Sequence, residues 1–260
     1  MIAGCSLPPP EARRGEADRL AQSLRLDPVV LPVTGGPAFA AWRRGQGRVL
    51  TVLIEGDGLA WISAREPSAD PTPVDPIALR LAGQIAEPVA VLARPCQYRV
   101  AVEPACRPTL WTMERFTDAT IARHGAAVDR LKQLADADSV VLVGFSGGGT
   151  IAAALAAARR DVSGLVTIAA PIDVAGWTTG LTITPLPAPS ALTLIPALRH
   201  LPQRHIWSYR DTEVPPPTQA RLTVALANCP GVLRILNDRR HSGPWTAADL
   251  GLDALGRCPG

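Results

Sequence analysis

Three side chains, far apart in the chain, could together perform acyl transfer. Ser146 lies in Gly144-Phe145-Ser146-Gly147-Gly148, a G-x-S-x-G string; Asp211 follows 65 residues later (146 to 211), and His241 another 30 (211 to 241). A serine hydroxyl is a poor nucleophile at neutral pH until a base takes its proton. His241 is the candidate base and would return that proton to a leaving group. Asp211 would hold the ring in one tautomer and stabilise the imidazolium. Gly144 and Gly148 remove side chains from a turn too tight to hold them. The Gly147 N–H, at a helix start, would point where an oxyanion forms.

Other residues of the same types were weighed. Asp173 could replace Asp211 as the acid, because it also follows a predicted strand. Asp238, three residues before His241, reads as a turn former. His124 falls on a long predicted helix, and His200 and His205 lie around an insert and a strand start. Each of these histidines reads as structural.

The positioning elements can be read outward from the serine. Val140 to Val143 is an apolar run without polar alternation, which suits a strand buried on both faces of a parallel sheet. Thr150 to Arg160 is rich in alanine and leucine and predicts a helix. The spacing predicts further strands at Val29–Val33, Ala38–Arg43, Arg48–Ile54, Val89–Ala93, Leu165–Ala169, His205–Tyr209 and Val232–Leu236. Helices are predicted at Asp75–Ile85, Glu114–Ala135, Pro217–Asn228 and Thr246–Leu255, the last with a Thr cap. Alternating strands and helices after an antiparallel start imply a mostly parallel sheet covered on both faces. From 173 to 202 the pattern breaks into a Thr-, Pro- and Gly-rich stretch. It reads as an insertion, either a cap over the serine with Trp177, Leu181, Ile183 and Leu186 as an apolar wall or a surface excursion packing on the sheet.

The order Ser146, Asp211, His241, each after its own predicted strand, resembles the α/β-hydrolase fold. That resemblance implies an α/β fold with a central sheet of about eight strands over residues 29–260. It also implies a Ser-His-Asp triad and an acyl-enzyme, so the expected activity is that of an esterase- or lipase-like serine hydrolase. The resemblance further implies an oxyanion hole built from the N–H of Gly147 and one from the loop after the third strand. By position that second donor is Asp57, with its carboxylate expected to turn away to a backbone or arginine partner. An acyltransferase or a peptidase would use the same triad. A catalytically silent binding scaffold is the reading from another class.

More narrowly, IEGDG, RPCQY and GFSGGG resemble a group of hydrolase-like lipoproteins of proteobacteria. Cys5, in Ile2-Ala3-Gly4-Cys5, resembles a lipobox cysteine, although the apolar stretch of a signal peptide is missing upstream. This implies lipidation at Cys5, a membrane anchor and a periplasm-facing place in a Gram-negative envelope, with residues 1–28 as a lipobox-like start and a tether, followed by a short helix at most. Four further cysteines remain, and an oxidising compartment would pair them. Three pairings are open, of which Cys96–Cys106 and Cys229–Cys258 are favoured.

Composition limits the other classes. Of 260 residues, 47% are hydrophobic and only 4% aromatic, so aliphatic packing must build the core. Net charge is +3 with no basic block, which disfavours nucleic-acid binding. No run of about 18 apolar residues reads as a membrane span. No cofactor or metal is expected: C-x-x-C is absent, and no lysine follows the Gly-rich turn as a P-loop requires.

Overall fold

The computed structural model describes residues 7–98 and 105–259. Ten strands and eight helices alternate through this range. In chain order they are α1 (Pro10–Ser23), β1 (Asp27–Leu31), β2 (Phe39–Arg44), β3 (Val49–Ile54), β4 (Trp61–Ser63), β5 (Glu66–Pro67), α2 (Ile77–Ala82), β6 (Val89–Leu92), α3 (Asp118–Ala135), β7 (Ser139–Phe145), α4 (Gly147–Ala158), β8 (Val162–Ile168), α5 (Val174–Gly180), α6 (Ala191–Leu198), β9 (Gln203–Ser208), α7 (Ala220–Ala225), β10 (Leu233–Leu236) and α8 (Ala247–Leu250).

Eight strands form one sheet in the order β1-β2-β6-β3-β7-β8-β9-β10, while β4 and β5 make a separate small hairpin. β2 is antiparallel to both β1 and β6, and every later pairing is parallel. This is the mostly parallel sheet that the resemblance implied.

Successive residues of a strand face opposite sides, and the core divides accordingly. Val52, Ile54, Leu92 and Leu142 pack with α3, α4 and α6 on one face. Leu53, Val91, Val143 and Ile206 pack with α1, α2 and α8 on the other. The central strands are therefore apolar at every position, which is why their sequences run without alternation. α4 consists mainly of glycine and alanine, whose small side chains let it lie close under the sheet.

Three features depart from the sequence reading. Residues 10–23 do not form a tether, because α1 docks on the domain through Arg13, Ala17 and Ala21 along one face. The Arg13 guanidinium donates to the carbonyl of Thr72, anchoring the helix to the loop before α2. An alanine stripe is too weakly apolar to register as a periodicity. Second, 173–202 is not one cap. α6 buries Leu194, Ile195 and Leu198 against the core and contacts α4. α5, through Trp177, and the stretch between α5 and α6 line the site. Third, the last helix is short. α8 has a Thr246–Asp249 capping box but ends at Gly251, whose φ of +54° terminates it.

Both favoured disulfides are present, Cys96–Cys106 and Cys229–Cys258. Cys5 lies outside the described residues. No described helix is long and apolar enough to cross a membrane.

Candidate active site

Ser146 stands on the sharp turn between β7 and α4 with φ +50° and ψ −126°, a region that non-glycine residues rarely occupy. Its N–H donates to the carbonyl of Ile168 on the neighbouring strand at 2.8 Å, which holds the turn. The turn needs its glycines. A Cβ on Gly144 would come within 2.4 Å of the Gly148 carbonyl oxygen, and one on Gly148 within 2.3 Å of the Glu55 carbonyl oxygen.

The loops after β9 and β10 bring the other two side chains to this tip. Ser146 Oγ lies 3.0 Å from His241 Nε2, and His241 Nδ1 lies 2.8 Å from Asp211 Oδ2. Asp211 is 1% exposed, and its other oxygen accepts the N–H groups of Glu213 (2.8 Å) and Val214 (2.9 Å). A carboxylate only accepts, so Nδ1 carries the proton and Nε2 is left to accept from the serine. Burial lowers the His241 pKa, but the hydrogen bond and charge of Asp211 outweigh it, and Glu213 and Asp57 add to them; the net shift is upward. Two contacts fix the ring's own loop. The Trp245 indole donates to the His241 carbonyl at 2.9 Å, and the Ser208 hydroxyl accepts from the Arg239 N–H at 3.1 Å, joining the two loops.

The loop after β3 packs against the serine. A Cβ on Gly56 would lie 3.3 Å from Ser146 Cβ, and one on Gly147 would strike Asp57 Oδ1 at 2.1 Å. The Asp57 side chain thus lies against Gly147, which opens α4, whose first-turn N–H groups have no acceptor within the helix. The Asp57 carboxylate does not turn away from the site as expected. It rests on Gly147, held by Arg94 Nη1 at 3.0 Å and Arg115 Nε at 3.3 Å.

An arginine partner for Asp57 was expected from the sequence, but not which arginines. Both are nearly buried, at 4% and 7% side-chain exposure, and both guanidinium groups lie over the Phe116 ring. Two cations thus hold the one carboxylate that lies against Gly147. The signal was available, since an acid in this loop needs a cationic neighbour. Gln97 completes the brace by donating to the Gly56 carbonyl at 2.9 Å, from the loop closed by Cys96–Cys106. Glu55, at the start of the same loop, is 1% exposed and accepts the Leu79 N–H at 3.2 Å. Burial raises its pKa to about 7, despite backbone hydrogen bonds that oppose the shift.

A cleft of about 730 Å³ opens over Ser146 and His241 and is lined largely by apolar groups, among them Leu59, Trp61, Ile77 and Met113. Trp177, Ile183 and Leu186 join this wall as expected, whereas Leu181 lines a separate hollow beside Asp173 and Arg221.

The other candidates lie elsewhere. Asp173 caps α5 and binds Arg221 at 2.6 Å and 2.9 Å. Asp238 pairs with Arg239 in solvent. His124 is buried in α3 on the Thr120 carbonyl, and His205 bonds Thr167 and Gln203 inside the core. His200 is exposed in the turn after α6. Among the described residues, no group of His, Cys, Asp and Glu could hold a metal.

Comparison with known proteins agrees on the architecture. A family model described as alpha/beta hydrolase fold matches residues 95–218. No curated protein matches the chain in sequence. Among solved structures, the esterase Pf2001 of Pyrococcus furiosus is similar with a TM-score of 0.58 at 14% identity, covering 85% of this chain and 86% of that one. Est1E of Butyrivibrio proteoclasticus is similar with a TM-score of 0.55 at 15% identity, covering 84% and 92%. A puromycin hydrolase is similar with a TM-score of 0.57 at 14% identity over 83% of this chain and 36% of its own. The chain has the α/β-hydrolase fold.

Proposed function

We propose that the protein is a serine hydrolase that cleaves an ester or related acyl bond through an acyl-enzyme. The observation that carries this reading is the unbroken hydrogen-bonded row Ser146–His241–Asp211 at the floor of an apolar cleft. In this reaction Ser146 Oγ attacks the carbonyl carbon as its proton passes to His241 Nε2. The oxyanion is met by the N–H groups of Gly147 and Asp57, beside an Asp57 carboxylate that Arg94 and Arg115 neutralise. The tetrahedral intermediate expels the leaving group, which takes the proton from His241. Water then repeats the sequence on the acyl-enzyme, with His241 again as base. The esterase names of the similar structures favour an ester as substrate.

The test is covalent labelling with a fluorophosphonate, read by intact mass. One adduct is expected on the wild-type protein and none on Ser146→Ala, with His241→Ala labelled far more slowly. Folded wild-type protein without an adduct would leave the fold as a binding scaffold.

The envelope anchor belongs to the same reading. The two disulfides accord with an oxidising compartment. Expressed with its upstream genomic sequence, the protein should incorporate labelled palmitate and Cys5→Ala should not. Equal incorporation would remove the anchor.

A further inference from the structure

The charged groups that line the cleft are not equally neutralised. They are Asp57, Asp75, Arg115 and Glu213. Asp57 is held between Arg94 and Arg115, and Asp75 pairs with Arg80. Glu213 faces the catalytic ring instead, with Oε2 3.7 Å from His241 Nε2. Its backbone is fixed from two sides. Its N–H donates to Asp211 Oδ1 at 2.8 Å, and its carbonyl accepts the Trp177 indole N–H at 2.7 Å. The side chain is 70% exposed and stands at the mouth of the cleft.

Nε2 is the atom that receives the serine proton and hands it to the leaving group. The departing heteroatom must therefore come within hydrogen-bond reach of Nε2, in the space that the Glu213 carboxylate borders. The geometry points to Glu213 as the residue that selects the leaving group, favouring one that carries an ammonium and opposing one that carries an anion. This inference rests on the serine-hydrolase reading and adds a substrate class to it: acyl esters of amino alcohols, or related acyl compounds whose departing half is cationic.

The effect should be moderate, because the carboxylate is exposed. Two charges about 6 Å apart, at a dielectric between surface and bulk values, interact strongly enough to change a rate about three- to tenfold. The preference should shrink as salt screens it.

The test compares two organophosphorus thioesters with the same phosphoryl half. One leaves as 2-(trimethylammonio)ethanethiol and the other as its neutral isostere, 3,3-dimethylbutanethiol. In each, a bond forms between Ser146 Oγ and phosphorus, the P–S bond breaks, and the serine proton leaves on the thiol by way of His241. Wild-type protein at low ionic strength should be labelled about three- to tenfold faster by the cationic probe. Glu213→Gln should bring that ratio close to one, and Glu213→Lys should invert it. A ratio that Glu213→Gln leaves unchanged would overturn the inference, as would no reaction with either thioester while a fluorophosphonate still labels Ser146. Failure of the fluorophosphonate as well would remove the hydrolase reading itself, and this inference with it.

Discussion

Asp173 and Asp211 occupy matching places after adjacent strands of one sheet. Asp173 follows β8 and Asp211 follows β9, and both are buried, at 2% and 1% exposure. Each also organises the turn that follows it, Asp173 by accepting the Gly176 N–H and Asp211 by accepting those of Glu213 and Val214. They differ in the partner that reaches the second oxygen. Asp173 receives a guanidinium from Arg221, which is permanently charged, so the pair locks α5 to α7 and has no proton to exchange. Asp211 receives an imidazole, which titrates near neutrality and is itself bonded to a serine. The same carboxylate chemistry serves as a structural clamp in one loop and as a candidate catalytic group in the next.

Exchanging each carboxylate for an amide should separate the two roles. Asp211→Asn should lower the fluorophosphonate labelling rate by about 10³- to 10⁴-fold, because an amide no longer enforces the productive tautomer. Asp173→Asn should leave that rate within about threefold. Equal losses from both would end the distinction.

A third buried carboxylate, with no cation facing it, gives the next largest effect. Glu55 has its pKa raised from 4.5 to about 7 in the folded protein. Between those values the folded state holds a proton that the unfolded state has lost, so stability must fall as pH rises through this window. The loss from this group is about 3 kcal/mol, and it should be absent in Glu55→Gln when urea unfolding is compared at pH 4.5 and 7.5.

Stability should show the converse of the labelling experiment. Asp173→Asn removes a charge-assisted pair whose arginine is half exposed, at a cost of about 1–2 kcal/mol in urea unfolding. Asp211→Asn keeps an acceptor oxygen for the loop N–H groups and should cost less. A larger loss for Asp211→Asn would show that its loop also depends on the full charge.

The smallest effect concerns pH. Asp211 raises the His241 pKa, and the base must be neutral to act, so labelling should rise with pH through a midpoint above 6.5. Asp211→Asn should move that midpoint down. The stability arising from the same pair has the opposite sense: it is full below pH 6.5 and is lost as pH rises through the folded-state value. An unmoved midpoint would mean that another group controls the profile.

Much of this architecture was legible in the residues. Val140–Val143 read as a strand because a two-faced burial leaves no polar alternation, and Ser146 read as an exposed turn serine because only glycines fit around it. Asp211 and His241 were found by their order after strands. What escaped was whatever depended on contact. α1 docks through two alanines and an arginine, too weak a pattern to stand out from a polar segment. α6 lies in a stretch whose Pro and Thr content suggested an insert, yet its leucines complete the core against α4. Arg94 was quoted within RPCQY without a role, and Arg115 was not singled out at all. Their meaning lies in their distance to Asp57.

Local chemistry along the chain was enough to establish the strand-turn-helix at Ser146 and the α/β layering. Those depend on steric and hydrophobic rules that act over a few neighbouring residues. Partnership was decided only by the folded sheet. Which acid meets the histidine, which cations hold Asp57 and which carboxylate faces the leaving-group side are set by loops 20 to 100 residues apart converging on one sheet edge. Pairing of that kind depends on distances of a few ångströms, and sequence order carries none of them.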